Sequence, residues 1–380
     1  MLKNDSKCTL RRDAVIVGAG PIGIETAVAF QAAMIDFQIV EAGSIGHTVS
    51  WWAPQTRWFS SNDRISIAGV PLCTIDQAKA SREEYLNYLR SVVDQFGVAI
   101  STFTRVSTIK PSPDGNEWMV GLVSGHAEAG GPVQQYILTP HVILATGGTD
   151  HPNLLGVPGE DLPLVDGYLR ETHRYHGRRV LIVGGRNSAV EAAIRLHRAG
   201  AKVTLSYHRE SFPSDSIKYW LRPEIDGLIR SGAVEAIFDS KVVEIMPGQV
   251  KLCQVAPGQP DRMIDVVVDD VLTLIGYRQD KTLFNQLGIP LDSDAGRPVF
   301  NPETMETPVA GIYVAGTAVG GTQSSKYQIF LENCHDHPAK IARHIASQEH
   351  GVSNGSASSQ AEKSEAAASL ACQIEISPES

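Results

Sequence analysis

Cysteine is scarce in this sequence. The 380 residues contain five cysteines, which lie far apart at Cys8, Cys73, Cys253, Cys334 and Cys372. They form no CxxC pair and show none of the spacings that hold a metal ion. We therefore expect no metal site, and we interpret most of these residues as ordinary reduced thiols.

Long basic runs and long apolar runs are also absent. Lys and Arg number 33 against 42 Asp and Glu, a formal charge of −9, and no basic stripe is available to neutralise a phosphate backbone. The first apolar run is broken by glycines and by Glu25, unlike a signal peptide or a membrane span. The sequence therefore predicts a cytoplasmic protein that binds neither nucleic acid nor membrane.

Alternating strand and helix patterns predict an α/β protein of two or three domains. A strand at 14–17, a glycine turn, a helix at 24–34 and a strand ending at Glu41 form one βαβ beginning, and a second such unit begins at Arg179. Between the two units we expect a helix at 81–96 and a small β-meander. A last helix is expected at 325–345.

The first glycine turn has the dinucleotide-binding spacing. Gly18, Gly20 and Gly23, with Pro21 among them, follow a strand and open a helix, which is the context that makes G-x-G-x-x-G specific. The helix N-terminus would hold the pyrophosphate. Glu41 ends the next strand 18 residues after Gly23, where a carboxylate accepts hydrogen bonds from ribose hydroxyls.

A second glycine turn departs from this pattern. Gly184, Arg186 and Ala189 occupy its three fingerprint positions, and between them lie Gly185, Asn187 and Ser188. Either the pyrophosphate lies further out, or the Arg186 side chain swings aside and helps to hold it. The next strand ends in His208 and Arg209 instead of an acid. Because cations suit a 2′-phosphate, these residues predict NADPH over NADH.

Two dinucleotide sites in one chain predict hydride transfer between FAD at the first site and NADPH at the second. The fold class is thus two Rossmann-like domains, the second inserted in the first, with a small β-meander. The FAD-binding domain would comprise 1–157 and 286–346, and the NADPH-binding domain 158–285. Residues 347–380, rich in Ser, Ala, Gly and Glu, are expected to form a flexible tail.

Joined to HVILATGG and GIYVAGT, the two turns resemble those of the two-dinucleotide-domain flavoproteins, which include the low-molecular-weight thioredoxin reductases. This resemblance implies FAD contacts at Thr146, Gly147, Gly316 and Thr317. The late turn of such enzymes usually carries Gly-Asp, whereas this chain has Gly316-Thr317. The absence of a CxxC pair argues against a thioredoxin reductase of the usual kind.

A closer resemblance is to the bacillithiol disulfide reductase family of flavoproteins. It covers most of residues 13–345 and includes, in order, HPNLLGVPGEDLP, VGGRNSAVEAA, SIKYWLRPEI and SSKYQIFLENCHDHP. The resemblance implies a homodimeric, NADPH-dependent FAD oxidoreductase that reduces a small-molecule disulfide such as bacillithiol disulfide. The family often carries a cysteine after the proline of the first glycine turn, where this chain has Ile22.

The catalytic residues are therefore unknown from the sequence. Either reduced flavin acts directly on the substrate, or another thiol substitutes, for which Cys73 and Cys334 are candidates. Lys326 is a further candidate for contact with flavin or substrate. The polar residues of the HDHP segment, which include His335 and His337, are expected to lie at the protein surface and not to form a metal site.

Two other functions stay open. The segment THRYHGRRVLIVGGRNSA resembles part of flavin monooxygenases, and a non-catalytic, nucleotide-binding redox sensor is a third reading. The aromatic residues of the segment after Glu41 would line the flavin, form a domain contact or pack in a core. They are Trp51, Trp52, Trp58 and Phe59.

Overall fold

A computed structural model describes residues 9–124, 133–213, 216–255, 260–292, 295–322 and 329–353. Strands within these residues are β1 (Thr9–Arg11), β2 (Ala14–Val17), β3 (Phe37–Val40), β4 (Ile100–Ser101), β5 (Thr104–Pro111), β6 (Trp118–Ser124), β7 (Gln135–Thr139), β8 (His141–Leu144), β9 (His151–Pro152), β10 (Val165–Asp166), β11 (Arg179–Val183), β12 (Lys202–Ser206), β13 (Val234–Ile237), β14 (Ser240–Met246), β15 (Gln249–Gln254), β16 (Arg262–Val267), β17 (Asp270–Thr273), β18 (Tyr277–Arg278) and β19 (Ile312–Val314).

The helices begin where the sequence supplies helix-starting residues. Pro21 opens the first helix, and Ser81 caps the fourth in a reciprocal capping box with Glu84. The helices are α1 (Pro21–Ala32), α2 (His47–Ser50), α3 (Asn62–Ile65), α4 (Arg82–Phe96), α5 (Asn187–Arg198), α6 (Arg222–Arg230), α7 (Thr282–Gln286) and α8 (His337–Ser353). Short 3₁₀ turns span Thr172–Tyr175, Gly316–Gly320 and Leu331–Asn333.

The first domain is built on a parallel sheet with strand order β19-β8-β2-β3-β4. All four residues of β2 are buried, as expected for a central parallel strand that is covered on both faces. The strand order reverses between β2 and β8, because β3 follows β2 on one side and β8 and β19 lie on the other. In such sheets ligands bind outside the carboxyl ends of the strands at the switch point.

The second domain repeats this plan. Its parallel sheet has the order β10-β17-β11-β12-β13, and α5 connects β11 to β12. The chain leaves the first domain through β9 and returns through β18, and these two short strands pair antiparallel. The insertion of one Rossmann-like domain in the other is therefore confirmed. Phe284, next to the expected boundary at residue 285, lies in the core of the first domain.

Two antiparallel meanders accompany the domains, where the sequence predicted one. The expected meander is β5-β6-β7, to which β1 adds in parallel. The second, β14-β15-β16, belongs to the inserted domain. Its inner face, which includes Val242, Val250 and Leu252, packs on the sheet residues Leu181 and Val271.

The last helix differs from the expectation of one helix at 325–345. Residues 329–336 contain only the 3₁₀ turn, and α8 begins at His337, because Pro338 suits the first turn of a helix and not its interior. The helix continues to Ser353, past the start of the expected tail. Lys326, within 323–328, and the tail residues 354–380 lie outside the described residues.

Candidate functional site

The carboxyl ends of three neighbouring strands collect the first set of predicted contacts. Leu144 of β8 pairs with Val17 of β2 on one side and with Val314 of β19 on the other. The loops that follow these strands therefore share one edge of the sheet. They carry Gly18, Gly20, Thr146, Gly147, Gly316 and Thr317.

The three glycines of the first turn have different physical roles. A Cβ on Gly18, which has φ +109°, would lie 2.5 Å from the Ala145 carbonyl oxygen, and a Cβ on Gly23 would lie 2.0 Å from the Gly18 carbonyl oxygen. These two glycines allow backbone to pack on backbone. A Cβ on Gly20 would meet nothing within 4 Å. Gly20 thus leaves open the space before α1, where a helix N-terminus attracts an anion.

Glu41 lies at the adjacent strand end and is buried. Its two carboxylate oxygens accept hydrogen bonds from the backbone N–H of Ala19 at 2.8 Å and of Gly43 at 2.7 Å. The side chain therefore holds the glycine turn and the loop after β3 in one arrangement. Each carboxylate oxygen keeps a lone pair, so Glu41 can also accept from ribose hydroxyls.

The loop after β8 contains a buried hydroxyl group without a protein partner among the described residues. Thr146 Oγ1 has no hydrogen-bond partner among the described residues, and an unsatisfied buried polar group is costly. The next residue, Gly147, has φ +86°, and the Thr317 hydroxyl lies 4.0 Å from where its Cβ would be. A flavin dinucleotide, with its many hydroxyl and carbonyl groups, fits this polar edge.

His337, expected at the protein surface, is instead buried and supports the loop after β19. The N–H of Gly316 donates to His337 Nδ1 at 3.2 Å. Burial lowers the pKa of His337 to about 4, so the imidazole is neutral and able to accept. His335 is also engaged, since it lies 3.0 Å from Glu25. No cluster of three metal-ligating side chains occurs within the described residues.

Ile22 directly follows Pro21, at the position where the family resemblance led us to look for a cysteine. Its side chain is buried, and its Cβ lies 3.1 Å from where a Cβ on Gly316 would be. Position 22 is therefore packed against the loop after β19. This position therefore carries a buried apolar side chain and cannot supply a reactive thiol.

The backbone of the second glycine turn is closely packed at Gly184 and Gly185. A Cβ on Gly184, with φ +143°, would lie 2.4 Å from the Leu274 carbonyl oxygen, and a Cβ on Gly185 would lie 2.4 Å from the Tyr207 ring. Both glycines thus serve packing. Arg186, at the N-cap of α5, is exposed. Asn187 Oδ1 accepts from the backbone N–H of Lys218 at 2.9 Å, while Ser188 is exposed and Ala189 is buried.

Several positive charges act on His208, which follows β12, the strand after this turn. Burial lowers the pKa of His208, and the nearby charges of Arg209, Lys241 and Arg186 lower it further. Three cations thus act on one imidazole at the end of β12. This is the reverse of the first site, where the corresponding strand ends in Glu41.

Lys241 is the member of this group that the sequence did not suggest. It reaches the end of β12 because the backbone N–H of Ser240 donates to the Tyr207 carbonyl at 3.0 Å, and that of Asp239 donates to the Arg209 carbonyl at 3.0 Å. These bonds seat the start of β14 beside β12. No local signal marks Lys241, because its neighbours in space are more than thirty positions away in the chain.

The candidate thiols differ in exposure. Cys334 is fully buried, its Sγ donates to the Phe330 carbonyl oxygen, and burial raises the pKa of the thiol to about 12. Such a thiol is a poor nucleophile, since the thiolate is the reactive form. Cys73 is exposed. The structure therefore disfavours Cys334 and leaves Cys73 accessible.

The aromatic segment after Glu41 divides between two of its expected roles. Trp51 contacts Tyr168 and Tyr277, with ring centroids 4.5 and 5.5 Å apart, at the crossing between domains. Phe59 contacts Trp220 of the second domain at 6.1 Å. The remaining pair, Trp52 and Trp58, packs against the first core.

Two Rossmann-like domains joined by a double crossing, each with a glycine turn at the switch edge, define a flavin-dependent oxidoreductase that uses a nicotinamide nucleotide. Along the described residues no helix is long and apolar enough to cross a membrane. The chain belongs to the pyridine nucleotide-disulphide oxidoreductase family, whose family model matches residues 15–316.

Individual relatives narrow the comparison. The bacilliredoxin reductase Bdr of Bacillus subtilis is 33% identical over 340 residues, which cover 90% of this chain and 99% of the relative. A ferredoxin–NADP reductase of Ignicoccus hospitalis is 26% identical over 80% of this chain and 89% of its own length. The solved bacillithiol disulfide reductase Bdr of Bacillus cereus has a TM-score of 0.81 and 30% identity, covering 89% of this chain and 99% of that one. The chain is thus a disulfide-reductase type of flavoprotein.

Proposed function

We propose that this protein is an NADPH-dependent FAD oxidoreductase that reduces a low-molecular-weight disulfide of the bacillithiol disulfide type. The observation that carries the proposal is the opposite charge at the two matching strand ends. Glu41 ends β3 beside the first glycine turn, and His208 and Arg209 follow β12 beside the second. A carboxylate suits the ribose hydroxyls of FAD, whereas cations suit the 2′-phosphate of NADPH.

The residues of the first domain fit FAD. The open space at Gly20 and the N-terminus of α1 would receive the pyrophosphate, Glu41 the adenosine ribose, and Thr146 a polar group of the flavin half. Bound FAD supplies a two-electron carrier that takes hydride from NADPH and passes both electrons to a disulfide. The balanced reaction consumes one NADPH, one proton and one disulfide, and yields NADP⁺ and two thiols.

The residues of the second domain would select the nucleotide. The charges of Arg186, Arg209 and Lys241 all act on His208, which follows β12, and phosphate with Arg or Lys forms strong charge-assisted hydrogen bonds. Neutral His208 adds a further hydrogen-bonding group. We therefore propose that the enzyme uses NADPH in preference to NADH.

The acceptor follows from the relatives and from position 22. The relatives are named for bacilliredoxin and bacillithiol disulfide, and both names indicate thiol–disulfide chemistry. Ile22 cannot attack a disulfide. We therefore propose that electrons reach the substrate directly from the flavin or through another thiol, for which the exposed Cys73 is the better candidate.

An anaerobic reoxidation experiment tests this function. The FAD-loaded protein is reduced with NADPH, and the flavin absorbance is followed after addition of bacillithiol disulfide. We expect rapid reoxidation and release of thiol. If the flavin stays reduced until air enters, the disulfide is not the acceptor, and oxygen-dependent chemistry becomes the better reading.

The same experiment separates the two routes to the disulfide. A Cys73→Ser variant with wild-type reoxidation would exclude Cys73, and wild-type reoxidation by a variant that lacks all five cysteines would establish direct transfer from the flavin. A Cys73→Ser variant that is reduced by NADPH but no longer reoxidised by the disulfide would assign the thiol step to Cys73. Cys253→Ser, at a partly buried position of β15, is the matched control.

A one-electron acceptor protein is the second candidate. Ferredoxin–NADP reductases occur among the relatives, and electron transfer to such a carrier requires no thiol, in agreement with Ile22. Reduction of ferredoxin at a rate that exceeds disulfide reduction would favour it.

We also propose, from the family resemblance, that the protein is a cytoplasmic homodimer. Sedimentation of the FAD-loaded protein would measure its oligomeric state.

A further inference from the structure

One buried amide connects the two loops of the proposed flavin site. Gln279 directly follows the return crossing at Tyr277–Arg278 and is 5% exposed. Its Nε2 donates to the carbonyl oxygen of Gly147 at 3.0 Å and to that of Ala318 at 2.8 Å. Gly147 lies in the loop after β8, and Ala318 lies in the 3₁₀ turn after β19. The side chain therefore sets the spacing between these loops.

The orientation of this amide is determined by its partners. Both are carbonyl oxygens, which only accept, so the NH₂ group must face them. The Oε1 atom then points elsewhere, and it is buried without a hydrogen-bond partner among the described residues. Thr146 Oγ1, one residue before Gly147, is in the same condition. A ligand with hydrogen-bonding groups would satisfy both atoms, since buried polar atoms are rarely left unpaired.

The strand order indicates which half of the dinucleotide lies here. In the order β19-β8-β2-β3, the glycine turn after β2 separates Glu41, at the end of β3, from the loops after β8 and β19. With the pyrophosphate at the turn and the adenosine ribose on Glu41, the flavin half falls on the side of Gln279. Its hydrogen-bond donors are the imide N–H of the ring and the ribityl hydroxyls.

We propose that Gln279 is a flavin-binding residue: its Oε1 accepts a hydrogen bond from an imide N–H or ribityl O–H of FAD, while its Nε2 positions the two flavin loops. The proposal rests on the assignment of FAD to the first site. It goes beyond the fingerprint residues, because Gln279 belongs to the segment that returns from the inserted domain. A second bond from this segment, Asp280 N–H to Asp150 Oδ2 at 2.8 Å, holds it against the same loop.

Two variants test the contact. Gln279→Met keeps the size of the side chain and removes both hydrogen-bonding groups, so we expect FAD to bind about five- to tenfold more weakly. Gln279→Glu keeps an acceptor oxygen and adds a negative charge beside the flavin at pH 8. That charge disfavours the electron-rich reduced form, so the flavin midpoint potential should become more negative than in wild type and in Gln279→Met.

The control is Gln254→Met. The Nε2 of Gln254 also donates to a backbone carbonyl, that of Phe238 at 2.9 Å, but Gln254 lies in the meander of the second domain. It should leave FAD affinity and potential unchanged. If both Gln279 variants match wild type in affinity and potential, Gln279 neither contacts the flavin nor positions its loops, and this inference alone is overturned. Wild-type protein that binds no FAD would overturn the FAD assignment as well.

Discussion

The guanidinium of Arg195 donates a hydrogen bond to the Thr56 hydroxyl at 2.7 Å, across the boundary between the two domains. It also donates to the Pro54 carbonyl and lies 3.8 Å from Glu191 on its own helix, α5. Burial lowers the pKa of Arg195, and the charge of Glu191 opposes this effect. One partly buried cation of the nucleotide domain thus holds the aromatic segment of the flavin domain.

Replacement of Arg195 by Met should weaken the domain contact. We expect a loss of about 2 kcal/mol of stability, because charged hydrogen bonds are lost and Glu191 keeps a partly buried charge. Scanning calorimetry measures the effect as a lower and broader transition. The control is Arg198→Met on the same helix, whose exposed pair with Glu224 should contribute less than about 0.5 kcal/mol. Equal effects of the two substitutions would refute the special role of Arg195.

The first glycine turn predicts two different failures. Gly23→Ala would push a Cβ to 2.0 Å from the Gly18 carbonyl oxygen, so we expect a loss of more than about 3 kcal/mol or no soluble protein. Gly20→Ala meets no protein atom and should fold normally, but the methyl group would obstruct the pyrophosphate. FAD affinity should then fall about tenfold or more, as fluorescence titration would show. Normal FAD binding by Gly20→Ala would contradict this placement.

The cation group predicts nucleotide selectivity. Lys241→Met should raise the KM for NADPH about tenfold and leave the KM for NADH unchanged, because only NADPH carries the 2′-phosphate. Arg209→Gln should act in the same direction. Lys251→Met, on the next strand and 3.8 Å from Glu244, serves as the control. If NADH and NADPH are affected equally by Lys241→Met, the residue does not read the phosphate.

The pair His335 and Glu25 predicts how stability changes with pH. Burial disfavours the charged imidazole, but the hydrogen bond and the charge of Glu25 prevail and raise the pKa of His335. Its Nε2 also donates to the Arg64 carbonyl at 3.0 Å. Since the folded protein binds this proton more tightly than the unfolded chain, the contribution is complete below about pH 6.5 and is lost as the pH rises through the folded-state pKa.

Thermal unfolding between pH 6 and pH 9 measures this contribution. We expect wild type to lose stability over this range more steeply than His335→Gln. Glu25→Gln should flatten the profile in the same way, whereas replacement of the exposed His173 should not. A His335→Gln profile parallel to that of wild type would show that the pair does not titrate as described.

Local sequence was sufficient for much of the architecture. The glycine spacing and the strand before it predicted β2 and α1, the acid after it predicted the role of Glu41, and the helix expected at 81–96 is α4. These elements follow from interactions within about twenty residues of chain, so their pattern is legible in the sequence. The predicted start of the last helix was wrong, because the 3₁₀ turn and Pro338 interrupt a segment whose composition otherwise favours a helix.

Contacts between distant parts of the chain were decided by the tertiary structure alone. Lys241 joins His208 only because β14 begins beside the end of β12, and Arg195 meets Thr56 only because the inserted domain folds back on the first. Gln279 reaches Gly147 and Ala318 because three separate segments converge at one sheet edge. By itself the sequence determined two glycine turns, one followed by an acidic strand end and the other by a basic one, since each is a local pattern. The side chains that complete and connect these turns are decided by packing between segments that lie far apart in the sequence, so no local sequence pattern reveals them.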